Sequence, residues 1–328
     1  MQSLCALVQA CGAANRVLLT GPIGPDGDSI GAALALQRIL RARGVNVDVA
    51  GTPSYRYDWM PGADGMVPDA QIAPVYDAVV VLDGDCHRLP EPVRLAFEAA
   101  SLRGIVDHHG STRPDRYTHW CLDPTAPSTC EMLYRALPEL DVPLCKPLAT
   151  LLYVGTIFDT GGFRYSNTTP QTHQMGAALI AQGIEHAAIS TRVLLERRES
   201  GLRLTGQVFS SATLHRDGTI AVGLATLDLK ERFANVDGDL EGIVDGLIHT
   251  LGVKVAALLV ERESGEVKYS LRSRGEVDVS RVARDLSPSG GGHPKAAGAT
   301  VHQGIETARD RAIEVIARHL DARDAETP

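Results

Sequence analysis

The sequence has no apolar run long enough to cross a bilayer, so an integral helical membrane protein is not expected. Its opening residues, MQSLCALVQACGAANR, carry no basic residue ahead of the apolar stretch, which argues against a secretion signal. The six cysteines (Cys5, Cys11, Cys86, Cys121, Cys130 and Cys145) form no C-x-x-C pair and read as reduced core thiols in a cytoplasm. Positive charge is in deficit: 32 lysines and arginines face 40 aspartates and glutamates, for a net charge of −8. That speaks against a coat for duplex DNA or another polyanion and fits a small anionic substrate held locally. Internal repeats and low-complexity tracts are also absent.

What is present is a chain of 328 residues, 44% hydrophobic and 22% charged, enough for one large domain or two ordinary ones with real cores. In the first half, apolar runs read as buried strands: RVLLT, VNVDVAG, YDAVVVLDGD and RGIVDHHG. Helical patterns such as SIGAALALQRILRARG and EPVRLAFEAASLRG lie between most of them. This alternation predicts an α/β fold, a mostly parallel sheet covered by helices. Residues 127–198 read as largely helical, broken near DTGGFRYSNTTP, and PSTCEMLYRAL opens with a capping pattern from Ser128 to Glu131. Beyond about residue 199 the pattern changes to a smaller α/β domain. TIAVGLATL, a hairpin turning at Ser264–Gly265, and ATVHQG are its strands. Its helices are expected at DLEGIVDGLIHTLG, DVSRVARDL and 304–322, with a frayed tail from 321. The expected division is a domain over 1–190, a charged linker over 191–204 and a second domain over 205–328.

The chemistry gathers at strand ends, where open α/β sheets bind ligands. Asp26 and Asp28 follow the first strand, Asp83 and Asp85 follow AVVVL, and Asp107, His108 and His109 close GIV. Asp159 ends the run LLYVGTIF. Each is an ordinary loop or helix-end residue if taken singly. Together they supply the carboxylates and imidazole of a two-metal site, and the mixed donor set suits Mn²⁺ or a similar ion better than structural zinc. Further on, Gly290, Gly291 and Gly292 let backbone amides approach a phosphate; His293 adds a donor, and Arg272 can pair with a phosphate. The following HPKAAGA reads as helix-like, which predicts an anion site at a helix N-terminus. Residues 262–298 hold seven basic and five acidic residues, a local +2 that favours a short anionic ligand.

These segments, in order, resemble the DHH-family phosphoesterases, in the branch of nano-RNases that also hydrolyse 3′-phosphoadenosine 5′-phosphate. GPDGDSIGA, VVVLDGD, VDHH and VGTIFDTGGFRYSNTT resemble the four motifs of the catalytic domain. YSLRSRGEVDVSRVA and SGGGHPKAAGA resemble the DHH-associated domain. RecJ-type exonucleases are longer, and family II pyrophosphatases have a different second domain. The resemblance implies that Asp26 binds one metal and Asp28 the other. Asp83 then bridges both, and His108 with Asp159 completes the second. It implies that Asp107 fixes the tautomer of His108, with His109 near the scissile phosphate. Arg272, Ser273, Gly291, Gly292 and His293 would hold substrate, with the active site in the cleft between the domains. Hydrolysis would use water activated between two divalent cations, Mn²⁺ first among them.

The family pattern places a histidine ligand four residues before the first aspartate. Here that residue is Pro22, and no histidine precedes His87. One tight and one loose metal are therefore expected, with His87 a candidate substitute ligand. The implied partners are short single-stranded RNA or DNA, dinucleotides or a nucleoside bisphosphate; a membrane is not among them, and a homodimer stays open. A cyclic or linear dinucleotide phosphodiesterase of signalling, or a nucleotide-binding protein whose first metal site has decayed at Pro22, stand as alternatives.

Overall fold

Val, Leu and Ile in unbroken runs make strands that are buried on both faces, and a computed structural model, which describes residues 4–326, places them so. In the first half the strands are β1 (Val17–Thr20), β2 (Val47–Val49), β3 (Ala78–Leu82), β4 (Leu102–Asp107) and β5 (His119–Leu122). They form a parallel five-stranded sheet in the order β2-β1-β3-β4-β5. The helices are α1 (Leu4–Gly12), α2 (Gly27–Arg41), α3 (Glu91–Ala99), α4 (Thr129–Ala136), α5 (Lys146–Asp159), α6 (Pro170–Ile180) and α7 (His186–Ser190). Alternate strand residues feed two cores. Val17, Leu19, Val80 and Leu82 pack with α2, α4 and α5, whereas Leu18, Val79, Val81 and Ile105 pack with α3. The edge strand β5 was not legible as a strand, because HWCL is only half-buried along its length.

Two glycines bring α2 and α5 close together. A Cβ on Gly31 would lie 2.7 Å from the Leu151 carbonyl oxygen, and one on Gly155 would lie 2.4 Å from Asp28 Oδ1. The contact sets Asp28, at the start of α2, beside the end of α5.

The chain divides into two compact units, Met1–Glu196 and Arg197–Pro328. The stretch 191–204 is ordered: a π-helical turn, Thr191–Leu195, precedes α8 (Glu199–Ser210). The second unit continues with β6 (Thr213–His215), β7 (Ile220–Ala225), α9 (Leu227–Arg232), α10 (Ile243–Ile248), β8 (Val255–Glu261) and β9 (Val267–Ser273). It ends with α11 (Val279–Leu286), β10 (Gly291–His293), β11 (Ala296–Val301) and α12 (Ile305–Glu326). The strands make a mixed sheet, β10-β11-β9-β8-β7-β6, parallel only between β7 and β8. α11 and α12 cover one face, over Tyr269, Leu271 and Ala299; α8 and α10 cover the other at β7 and β8.

Two expectations change here. HPKAAGA is not helical: β10 and β11 form a hairpin over it, with Gly292 opposite Ala297 and His293 opposite Ala296. Burying Ala297 and Ala299 on one face of a strand outweighs the helical preference of alanine. The tail does not fray at 321, since α12 runs on to Glu326, and residues 327–328 lie outside those described. Among the described residues, no helix is long and apolar enough to cross a membrane.

Candidate metal centre

Four elements of the first unit deliver its acids. Asp26 caps α2, its Oδ1 accepting from the backbone N–H groups of Asp28 and Ser29 at 3.0 and 3.1 Å. That cap places Asp28 in the first turn, fully buried. Asp83 follows β3 in a left-handed conformation, φ 59°, and Gly84 comes next at φ 151°. Aspartate tolerates this region better than a bulkier residue, and such strain collects at functional sites. Asp107 is the last residue of β4, so His108 and His109 emerge beyond the strand end, and Asp159 is the last residue of α5.

These residues converge on His108. Its buried Nε2 lies 2.9 Å from Asp159 Oδ2, 3.3 Å from Asp83 Oδ1 and 4.0 Å from Asp28 Oδ2. On the other side of the ring, Nδ1–H donates to the Ala126 carbonyl at 3.0 Å. A carbonyl can only accept, so Nδ1 carries a proton, which leaves Nε2, on the side of the acids, as the nitrogen able to ligate a metal. Asp28, Asp83, His108 and Asp159 each offer a ligand atom within 4.8 Å of the others, and so do Asp83, Asp107 and His109. Asp83 belongs to both groups.

Asp107 does not orient His108. Its Oδ1 accepts from His109, from Nδ1 at 2.7 Å and from the backbone N–H at 3.2 Å, while Oδ2 accepts from the Thr112 hydroxyl. Consecutive residues beyond a strand point opposite ways, so the carboxylate meets the ring two positions on, and the Ala126 carbonyl does for His108 what Asp107 was expected to do.

Electrostatics tests whether a cation fits. Burial, then the Asp83 and Asp159 charges, push the Asp28 carboxyl up to about 8, against the opposing pull of His108 and the Cys130 N–H. Burial, Asp83 and Asp159 likewise hold Asp26 well above the carboxylate range, and burial raises Asp159 despite its bond to His108. Burial alone would lower His108, but Asp159 and Asp83 outweigh it and raise it. Buried carboxylates crowded against one another repel until something positive joins them, and a divalent cation meets that demand.

Other expected residues lie elsewhere. Asp26 is in neither ligand group, one of its oxygens being committed to the α2 cap. His87 is exposed and turned toward Asp85, 3.7 Å from its Oδ1, and it groups with Asp85 and Cys86, apart from the two groups that share Asp83. In the second unit, Arg272, Ala296 and His293 sit in register across β9, β11 and β10, which puts the two basic side chains on one face with only alanine between them. Arg272 Nε also donates to Asp245 at 3.0 Å. Gly291 and Gly292 lie in β10, Gly292 at φ 137°. Ser273 is buried and its hydroxyl donates to the Val277 carbonyl at 2.7 Å, with the Pro294 carbonyl at 3.2 Å, so it anchors the loop. Sequence reasoning missed Thr112, Ala126 and Thr129; only the Ser128–Glu131 pattern hinted that a helix begins beside the site.

Carboxylates and a correctly protonated imidazole, gathered beyond the carboxyl ends of a parallel sheet, define a metal-dependent hydrolase site of the phosphoesterase kind. The chain belongs to the DHH family: the family's N-terminal domain matches residues 16–156 and the DHHA1 domain residues 225–321. It is 32% identical over 302 residues to the bifunctional oligoribonuclease and PAP phosphatase NrnA of Thermus thermophilus, covering 91% of this chain and 88% of that one. It is 27% identical over 308 residues to the Bacillus subtilis protein of the same name, covering 92% and 95%. In structure it is similar to an exopolyphosphatase-related protein from Bacteroides fragilis, with a TM-score of 0.80, 26% identity, and 97% and 95% of the two chains covered. DHH phosphoesterases use divalent metals, and the acid–histidine groups of this chain are of the kind that can bind one.

Proposed function

We propose that this chain hydrolyses short oligoribonucleotides and 3′-phosphoadenosine 5′-phosphate with the help of two divalent cations, Mn²⁺ by preference. The observation that carries the reading is the buried convergence of Asp28, Asp83, His108 and Asp159, with Asp26 close enough to Asp83 and Asp159 for their charges to raise it, so that Asp83 can serve two ions at once. Names of the NrnA relatives support the substrate class. The mixed nitrogen and oxygen donors favour Mn²⁺.

Asp28, Asp83, His108 and Asp159 would hold the tighter cation; Asp83 and Asp26 would share the weaker one. When bound, the cations would supply an activated water and neutralise phosphate charge. Asp107 keeps a proton on His109 Nδ1, which leaves Nε2 to exchange a proton with the leaving oxygen. In the second unit, Arg272 and His293 would grip a phosphate that is not being cut, with Gly291 and Gly292 permitting close approach. Ser273 serves that loop from inside. We assign the metal chemistry to the first unit and phosphate recognition to the second. A cytoplasmic location suits the six unpaired cysteines.

A panel of RNA di- to tetranucleotides, cyclic dinucleotides and 3′-phosphoadenosine 5′-phosphate, assayed with Mn²⁺ and with EDTA, tests the reading. Mn²⁺-dependent release of mononucleotides and of phosphate is expected. Turnover of cyclic dinucleotides alone would move the assignment to signalling phosphodiesterases, and binding without turnover would remove the enzyme.

A further inference from the structure

The four residues around the candidate centre come from α2, the turn after β3, the end of β4 and the end of α5. None of these elements sets the position of all the others. A short segment that offers no carboxylate or imidazole, residues 126–130, bonds directly to three of them and reaches the backbone of the fourth through Asn167. The Ala126 carbonyl accepts from His108 Nδ1 at 3.0 Å. The Pro127 carbonyl accepts from Asn167 Nδ2 at 3.1 Å, and the same amide donates to the Asp159 carbonyl at 3.1 Å. Ser128, Thr129 and Cys130 then begin α4, and the first N–H groups of that helix are all accounted for. Ser128 Oγ accepts from Glu131 N at 3.0 Å. Thr129 N and Cys130 N donate to the two carboxylate oxygens of Asp28, at 2.6 and 2.9 Å. Thr129 Oγ1 donates to Asp83 Oδ1 at 3.3 Å.

We propose that residues 126–130 form a collar that sets the geometry of the metal centre, with Thr129 as its positioning residue. The proposal rests on the reading of Asp28, Asp83, His108 and Asp159 as metal ligands. Thr129 is fully buried and holds two acids from one residue, Asp28 through its backbone and Asp83 through its hydroxyl. With both Asp28 oxygens engaged by fixed amides, that carboxylate has one orientation. The hydroxyl adds a donor from a buried, fixed position to Asp83 on its left-handed backbone. At the same helix end the Ser128 hydroxyl accepts from the Glu131 N–H, and the Glu131 carboxylate pairs with Arg135.

Thr129→Val keeps the shape and the backbone amide and removes the hydroxyl; Thr129→Ser keeps the hydroxyl. Mn²⁺ binding to the full-length chain, measured by calorimetry and by the resonance of free Mn²⁺, is the primary readout. Affinity at the tighter site should fall about tenfold in Thr129→Val and stay within about twofold of wild type in Thr129→Ser. At saturating Mn²⁺, kcat for an RNA dinucleotide should fall in the valine variant while KM holds. Equal Mn²⁺ affinity in Thr129→Val and wild type overturns the role of Thr129, as does a serine variant as weak as the valine one. If Thr129→Val fails to fold, the exposed Asn167→Ala carries the test: a loss of affinity of about threefold or more supports the collar and unchanged affinity overturns it. A wild-type chain that takes up no Mn²⁺ overturns the metal-centre reading itself, and the collar with it.

Discussion

Pro22 packs its ring against Gly84, so closely that a Cβ on Gly84 would lie 3.0 Å from Pro22 Cγ. Pro22 thus occupies the place where the family resemblance calls for a histidine ligand and braces the turn that presents Asp83. A pyrrolidine ring has no donor atom, so the weaker cation is left with fewer protein ligands than the tighter one. Pro22→His should raise Mn²⁺ affinity at the weaker site and shift activation to lower metal without a new activity. Calorimetric titration of both forms checks this, and two equally tight sites in the wild type would contradict it.

The same contact fixes what Gly84 can become. At φ 151° only glycine is at ease, and Pro22 leaves no space for a methyl group. Gly84→Ala should cost about 2 kcal/mol of unfolding free energy and weaken Mn²⁺ binding with it. Denaturant unfolding of the metal-free chain gives the first quantity. Unchanged stability would mean that the turn relaxes freely.

Asp83→Asn is the sharper variant for the shared carboxylate, because asparagine accepts the left-handed backbone and alanine would add strain. It keeps the shape and removes the charge. Hydrolysis should fall by roughly a thousandfold or more, with the fold intact by circular dichroism. Wild-type turnover in this variant would remove Asp83 from the centre.

Protons and cations compete for the same acids. With no metal bound, the folded chain keeps a proton on Asp28 until about pH 8, whereas the unfolded chain gives it up near pH 4. The folded state therefore holds more protons through that window, and the stability of the metal-free chain falls as pH rises from about 5 to about 8. His108, also raised, contributes in the same direction: its share is present at low pH and lost as pH rises through its folded value. Saturating Mn²⁺ should abolish the decline, and the Mn²⁺-induced rise in Tm should grow with pH. Thermal unfolding between pH 5 and 9, with Mn²⁺ and with EDTA, measures both. A metal-free Tm that climbs over this range would refute the account.

What could be read in advance divides by range along the chain. The parallel strands were legible because Val17–Thr20 and Ala78–Leu82 are apolar at all but one position, and Asp28, Asp83, His108 and Asp159 were legible as candidates because each lies where a strand or helix starts or stops. Pairings across the chain were not. Asp107 and His108 are neighbours in sequence, yet Asp107 meets His109, and the carbonyl that serves His108 is 18 residues away. HPKAAGA has helical composition, and only the neighbouring strand β9 makes it a hairpin. Thr129 looks like any first-turn residue of a helix until α2 is placed beside it.

The last prediction separates two kinds of residue in the second unit. Arg272 and His293 flank Ala296 on one sheet face, and Asp245 steadies the guanidinium. On the proposed reading, a phosphate gripped there is not the one being cut, so its contacts contribute equally to ground state and transition state. Arg272→Ala should raise KM by about tenfold to a hundredfold, the range of a charge-assisted hydrogen bond, with kcat within a few-fold of wild type. His293→Ala should act the same way, more weakly. Ser273→Ala should differ in kind: its hydroxyl serves the Val277 and Pro294 carbonyls, so the loss is about 1 kcal/mol of stability, with no selective rise in KM. Steady-state kinetics on 3′-phosphoadenosine 5′-phosphate and on an RNA dinucleotide, paired with denaturant unfolding, distinguishes them. A KM effect in Ser273→Ala as large as that in Arg272→Ala, at unchanged stability, would place the Ser273 hydroxyl on substrate and reverse the assignment made from its hydrogen bonds.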